Sequence, residues 1–202
     1  SNTAFTTERA VVGAAASGPV REAFMQYVGR IRSGPVRPVT VFNTWYDMQN
    51  ETLTGANARE RMATLKRKLF DPYGLKLDSF VLDDAWDTHD QLWKIHPERF
   101  QGDFSPLVKD LAGQGTTLGL WYGPIGGYGR SRDQRLATGR RDGYEITANG
   151  RYFCLAGRRY RELFKRSVLD MVRRYQVTHF KFDGLPFGCN DPAHGHLLGV
   201  HS

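Results

Sequence analysis

Residues 39–47 read Val39-Thr40-Val41-Phe42-Asn43-Thr44-Trp45-Tyr46-Asp47. The β-branched and aromatic half, Val39 to Asn43, predicts a strand. The residues directly after that strand distinguish two α/β folds. A doubly wound open sheet that binds a nucleotide carries a Gly-rich turn after an early strand. Here Thr44, Trp45, Tyr46 and Asp47 stand in that place. The glycine cluster Gly126-Gly127-Tyr128-Gly129 comes after a later strand and opens no obvious helix, so it does not read as a phosphate loop.

Three more runs share the character of the first: Ser79–Asp83, Thr117–Trp121 and Thr178–Asp183. Helical patterns lie between them. Residues 56–69 space Met62, Leu65 and Leu69 at three and four residues, behind Thr54 as a cap. Ser105-Pro106 opens a second helix with Leu107, Val108 and Leu111 apolar and Gly113 near its end. Residues 158–175 form a third, with Leu163, Phe164, Val168, Met171, Val172 and Tyr175 on one stripe and Arg and Lys opposite. Val20–Ile31 predicts an additional amphipathic helix before the first strand. This order implies a parallel sheet with right-handed crossovers. The fold expected is a (β/α) barrel of TIM type with its first four strands present: residues 1–38 as an N-terminal extension with one helix, and 39–202 as the first half of a catalytic barrel. Residues 123–153, rich in Gly, Arg and Tyr and poor in pattern, read as an insertion directly after the third strand.

Composition narrows the function classes. The chain has 202 residues, 40% hydrophobic and 24% charged, with 22 Gly and 9 Pro, which excludes disordered and collagen-like chains. No apolar run approaches the ~20 residues needed to span a bilayer, and neither a membrane span nor a signal peptide is read. The opening Ser1-Asn2, without Met, is compatible with a trimmed leader or further domains, and compartment is left open. The net charge of +7 is local. Residues 123–175 hold 13 Lys and Arg against 5 Asp and Glu, leaving 15 against 16 elsewhere. That surface reads as the solvated Arg face of a helix, and no nucleic-acid or membrane partner is expected. Cys154 and Cys189 lie far apart with no CxxC or Cys/His spacing, so no zinc site is expected. One bridge between them stays open, and His194-x-His196 is the one close histidine pair.

Every predicted strand ends in groups that suit a sugar: Trp45, Tyr46 and Asp47; then Asp83, Asp84 and Trp86; then Trp121 and Tyr122; then Lys181 and Asp183. Aromatic rings cover the apolar face of a pyranose, and carboxylates accept from vicinal hydroxyls. Taken alone, a tryptophan at a strand end is more often a core or rim ring than a ligand platform, and the Asp83-Asp84 pair is equally a helix cap and Lys181 with Asp183 equally a structural ion pair. Their recurrence at one end of four successive strands favours a site. Lys181 and Asp183, two apart, share a strand face, with Phe180 and Phe182 on the other. An ammonium beside a carboxylate favours its ionised form, as a nucleophile in glycosidase chemistry requires.

These residues resemble the melibiase-type α-galactosidases and α-N-acetylgalactosaminidases, retaining glycosidases with a (β/α)₈ barrel. The likeness lies in Asn43-Thr44-Trp45, Leu82-Asp83-Asp84-Ala85-Trp86, Gly119-Leu120-Trp121 and Phe180-Lys181-Phe182-Asp183-Gly184, in order over residues 39–190. The resemblance implies Asp183 as the catalytic nucleophile, and Lys181, Asp83 and Asp84 as ligands of sugar hydroxyls. Trp45, Trp86 and Trp121 are implied as pocket walls. Ala85 stands where that family has Gly or Cys, and the insertion is longer than the family's loop. The implied activity is hydrolysis of α-linked galactose-type sugars by a retaining double displacement, without metal or cofactor. The alternative is a catalytically inactive carbohydrate-binding relative. No position matches the family's general acid/base, which Asp47 or Asp191 would fill only by improvisation. The 202-residue chain alone is therefore expected not to be a competent hydrolase, and either to self-associate over its open strand edges or to belong to a longer chain.

Overall fold

The computed structural model describes residues 11–184 and 188–196. By its internal contacts the chain divides after Pro38 into two units. In the first, Val20–Ile31 (α1) is a helix over the span that its periodicity predicts, with no buried side chain. Among the described residues no helix is long and apolar enough to cross a membrane.

The second unit is built on four parallel strands, Val41–Asn43 (β1), Ser79–Leu82 (β2), Thr117–Tyr122 (β5) and His179–Phe182 (β6). They pair in the order β1-β2-β5-β6 with register Val41↔Ser79, Ser79↔Thr117 and Gly119↔His179. Spatial order therefore matches chain order. Right-handed crossovers that all step in one direction set their helices on one face of the sheet, whereas a doubly wound sheet reverses direction and covers both. The sheet is half of a (β/α) barrel, as the sequence predicts. Its two inner strands are apolar runs rather than alternations, because both faces are covered: all of β2 is buried, and all of β5 after Thr117.

Three of the crossover helices match the apolar stripes. Gly55–Leu65 (α2) starts at Thr54, whose side chain accepts from the Asn57 amide, and buries Ala58 and Met62. The stripe predicts helix to residue 69. The α-helical bonding instead gives way after Leu65 to a π turn over Lys66–Phe70 and a short helix, Asp71–Tyr73 (α3), ended by Gly74. Ser105–Ala112 (α5) buries Leu107 and Leu111. Arg158–Tyr175 (α7) buries Tyr160, Met171 and Tyr175. Between β2 and α5 the chain forms a small hairpin, Asp87–Thr88 (β3) with Lys94–Ile95 (β4), and a single helical turn, Pro97–Phe100 (α4). The core these elements enclose is aromatic. Trp93 lies against Trp121, Tyr122 and Phe164, and Phe153 stacks on Tyr160 with ring centres 4.0 Å apart.

The insertion corrects the sequence expectation. Gly129 does open a helix, Gly129–Asp142 (α6), which ends on Gly143 at φ +72°. Its buried residues are Arg135, Leu136, Thr138 and Gly139, so the inward face is mostly polar or small and shows no hydrophobic period. Gly139 is set by packing, since a Cβ there would stand 2.3 Å from the fully buried Phe153 ring. Gly139→Ala is accordingly expected to destabilise the unit by about 1–3 kcal/mol through overpacking, although alanine is the better helix former. Urea denaturation of the variant measures the loss, and a gain in stability contradicts it.

Candidate active site

The chemistry-bearing residues sit at the C-terminal ends of the parallel strands, the end where a (β/α) barrel carries its active site. β6 extends its ladder one residue beyond Phe182, the Asp183 amide donating to the Tyr122 carbonyl at 2.9 Å. Asp183 thereby keeps the face of Lys181, while Phe180 and Phe182 stack on the opposite face beside Tyr122 and Phe164. Gly184 comes next at φ +90°, where a Cβ would also meet Ile125 at 3.1 Å, so only glycine passes this point without strain.

Asp183 is held from three sides. Trp121 Nε1 donates to Oδ2 at 3.1 Å, Tyr128 Oη donates to Oδ1 at 2.9 Å, and Lys181 Nζ lies 3.8 Å from Oδ2. Partial burial opposes ionisation, but the donors Trp121 and Tyr128, and then the Lys181 charge, outweigh it and hold the carboxyl below its ordinary range. The side chain remains 34% exposed, so an ionised oxygen is within reach of solvent.

Asp83 is the hub of the neighbouring strand end. Its Oδ2 accepts from Lys181 Nζ at 2.9 Å and from Asn43 Nδ2 at 2.7 Å, and its Oδ1 accepts from the Asp84 amide. The Asp83 side chain is only 2% exposed. Asp84 Oδ1 accepts from the Ala85 amide and from Arg135 Nη2 at 2.6 Å. Ala85 itself adopts φ +95°, a conformation that favours glycine.

The three tryptophans differ in what they present. Trp45 is 42% exposed, with Lys181 Nζ 6.0 Å from its ring centre. Trp121 is buried but turns its indole N–H onto Asp183. Trp86 is fully buried, packs on Phe104 and Tyr122, and donates Nε1 to the Trp121 carbonyl at 2.6 Å, so it holds the third strand and offers no surface to a ligand.

Three residues that the sequence does not single out for a site role complete this network. Asn43 is the third element on Asp83, Tyr128 is a donor to Asp183, and Arg135 is the buried cation beneath Asp84. Tyr128 lies in the glycine cluster, where an aromatic among glycines is the available signal. For Arg135 no local signal exists, since its partners Asp84 and Asp87 lie about 50 residues away. The two stand-in carboxylates for an acid/base are engaged elsewhere: Asp47 pairs with Arg61, and Asp191 accepts from the Ala193 amide and lies 3.5 Å from His194.

No protein-family model and no curated protein sequence matches the chain. Solved structures do. An α-galactosidase from Lactobacillus brevis superposes with a TM-score of 0.53 at 19% identity, over 74% of this chain and 20% of that one. An α-galactosidase from Thermus thermophilus, solved with p-nitrophenyl α-D-galactopyranoside, gives 0.52 at 22% identity over 82% and 35%. A cycloalternan-degrading enzyme from Trueperella pyogenes gives 0.51 at 13% over 80% and 28%. At these identities the likeness is one of fold, shared with α-galactosidases and related glycoside hydrolases. The chain spans between a fifth and about a third of the length of each of the three.

Proposed function

We propose that this chain carries the nucleophile and part of the sugar pocket of a retaining glycosidase acting on α-linked galactose-type sugars. The observation that supports it most is Asp183, a carboxylate kept ionised at the end of the fourth parallel strand by Trp121, Tyr128 and Lys181. In this reading a lone pair of Asp183 forms the bond to the anomeric carbon as the glycosidic bond breaks, and the leaving group departs with its electron pair. Lys181 and the free oxygen of Asp84 receive sugar hydroxyls, Trp45 covers the apolar sugar face, and Asp83 and Asn43 position Lys181. Asp47 and Asp191 being engaged elsewhere, no general acid is assigned, and Asp183 is assigned a displacement only where the leaving group departs as a stable anion without a proton.

A 5-fluoro-α-galactosyl fluoride tests this step directly, because fluoride leaves as the anion and needs no general acid. Intact mass should show one fluorogalactosyl group added, and peptide mapping should place it on Asp183. The gluco epimer should react more slowly. Absence of an adduct, or an adduct elsewhere, overturns the assignment. Galactose binding without an adduct would instead assign the chain as a binding relative.

The donors on Asp183 set its pH dependence. With its pKa below the ordinary ~3.9, the carboxylate persists to lower pH than a free aspartate, and labelling should fall only as pH drops through that lowered value. Tyr128→Phe removes one donor, so the pKa rises and the acid limb of the labelling rate should move to higher pH. A limb that stays in place contradicts the role of Tyr128.

A further inference from the structure

Cys154 and Cys189 are free and fully buried, and the fold brings them together with His194 and His196. The sequence predicts no zinc site, because the cysteines lack a ligand spacing. The convergence is tertiary: Cys154 comes from the chain after α6, and the other three from the chain after β6. Cys154 Sγ lies 3.3 Å from His196 Nε2, Cys189 Sγ lies 3.3 Å from His194 Nδ1, and one ligand atom from each of the four falls within 4.8 Å of all the others.

These distances suit a tetrahedral ion. With Zn–S of about 2.3 Å and Zn–N of about 2.0–2.1 Å, the edges of such a tetrahedron measure roughly 3.3–3.8 Å. Two of the four sulfur–nitrogen edges are already at the short end of that range. An independent feature points the same way. With Nδ1 turned to the cluster, His194 presents Nε2 to Asp191 Oδ2 at 3.5 Å, the carboxylate–histidine arrangement that orients metal-bound imidazoles. By contrast, the other such group among the described residues, Asp84, Asp87 and His89, already holds a cation in Arg135.

We propose that Cys154, Cys189, His194 and His196 form a structural zinc site of Cys₂His₂ type. Four protein ligands close the coordination shell and leave no position for a substrate, so the ion is a staple and takes no part in catalysis. The staple joins two segments on either side of Asp183. On one side, Cys154 donates its amide to the Glu145 carbonyl, and its neighbour Phe153 donates to Ile125, three residues before Tyr128. On the other, Cys189 lies beyond Asp183 along the chain. The site thus ties residues 189–196 to the segment that hydrogen-bonds Ile125. The assignment is independent of the glycosidase reading, since it needs only the four ligands.

The test uses the full chain, tag-free and purified without chelator, under reducing conditions. Elemental analysis after dialysis should find one zinc per chain. Replacement by Co²⁺ should give the intense visible bands of a tetrahedral ion and a thiolate-to-cobalt charge-transfer band in the near ultraviolet. These readouts are taken on the unmodified chain and do not depend on any variant folding. Cys189→Ser should weaken the charge-transfer band and His194→Gln should distort the visible bands, with circular dichroism checking that each variant folds. A chelator should lower the melting temperature of the unmodified chain, and that of Cys189→Ser by less. Zinc far below one equivalent, the weak bands of octahedral cobalt, or a Cys154–Cys189 disulfide in the reduced preparation would each overturn the proposal.

Discussion

Arg135→Met is expected to cost the second unit about 3–5 kcal/mol, enough to unfold a marginal domain. The guanidinium is fully buried in the second turn of α6. Its Nη2 donates to Asp84 Oδ1 and Asp87 Oδ1, both at 2.6 Å, its Nε to Asp87 Oδ2 at 3.1 Å, and its Nη1 to the Gly126 carbonyl at 3.2 Å. It also lies over the rings of Trp93 and Trp121, with its central carbon 4.9 and 5.4 Å from their centres. Burial alone would lower its pKa, but Asp87 and Asp84 more than offset that and hold it above its ordinary value, so the guanidinium stays charged. Methionine restores apolar volume and leaves Asp87 buried without its counter-charge. Lysine fails for a different reason, because a single ammonium cannot satisfy two carboxylates and a carbonyl in one plane. Guanidinium denaturation should show the loss in the midpoint. Arg135→Met combined with Asp87→Asn should recover part of it, since the second change removes the stranded charge. Arg135→Met alone with unaltered stability would show that the pair is dispensable.

Asp183→Asn should lower the rate of adduct formation by at least about 10³-fold while leaving the fold intact. The amide oxygen can still accept from one of the two donors, Trp121 and Tyr128, and the shape is conserved, so stability should change by no more than about 1–2 kcal/mol. What is lost is the anionic lone pair that forms the covalent bond. The measurement is the labelling time course with the activated fluoride, tracked by mass, beside a denaturation curve of the same variant. Labelling at the original rate would remove Asp183 from the chemistry. Loss of labelling together with loss of folding would show that the carboxylate is structural instead.

The parts of this protein that are legible in its sequence are those where burial leaves a period. β2 and β5 read as apolar runs, and α2, α5 and α7 each bury side chains four residues apart, so local pattern and final position agree there, whereas the stripe residues Leu69 and Val172 end exposed. α6 leaves no such trace, because Arg135, Thr138 and Gly139 occupy its inward face. A buried arginine is indistinguishable from an exposed one until the carboxylates that neutralise it are brought near. The same holds for the tryptophans. All four are aromatic residues near strand ends or loops, yet Trp45 is open while Trp86 is sealed, and only packing separates them.

By itself the sequence determined the strand order, the end of the sheet that carries the polar groups, and the pairing of Lys181 with Asp183 on one face. The order follows from the alternation of strand and helix patterns and from the lack of a Gly-rich turn after the first strand, the end from the position of the polar groups after each strand, and the shared face from the two-residue period of a strand. Tertiary structure alone decided which atoms meet. It placed Tyr128 and Trp121 on Asp183, Arg135 under Asp84 and Asp87, and both cysteines beside His194 and His196. Hydrogen bonds, ion pairs and coordination act over about 3 Å, whereas the chain that separates these partners runs to tens of residues. Periodicity carries information along the chain about faces, and only the closed fold turns faces into neighbours.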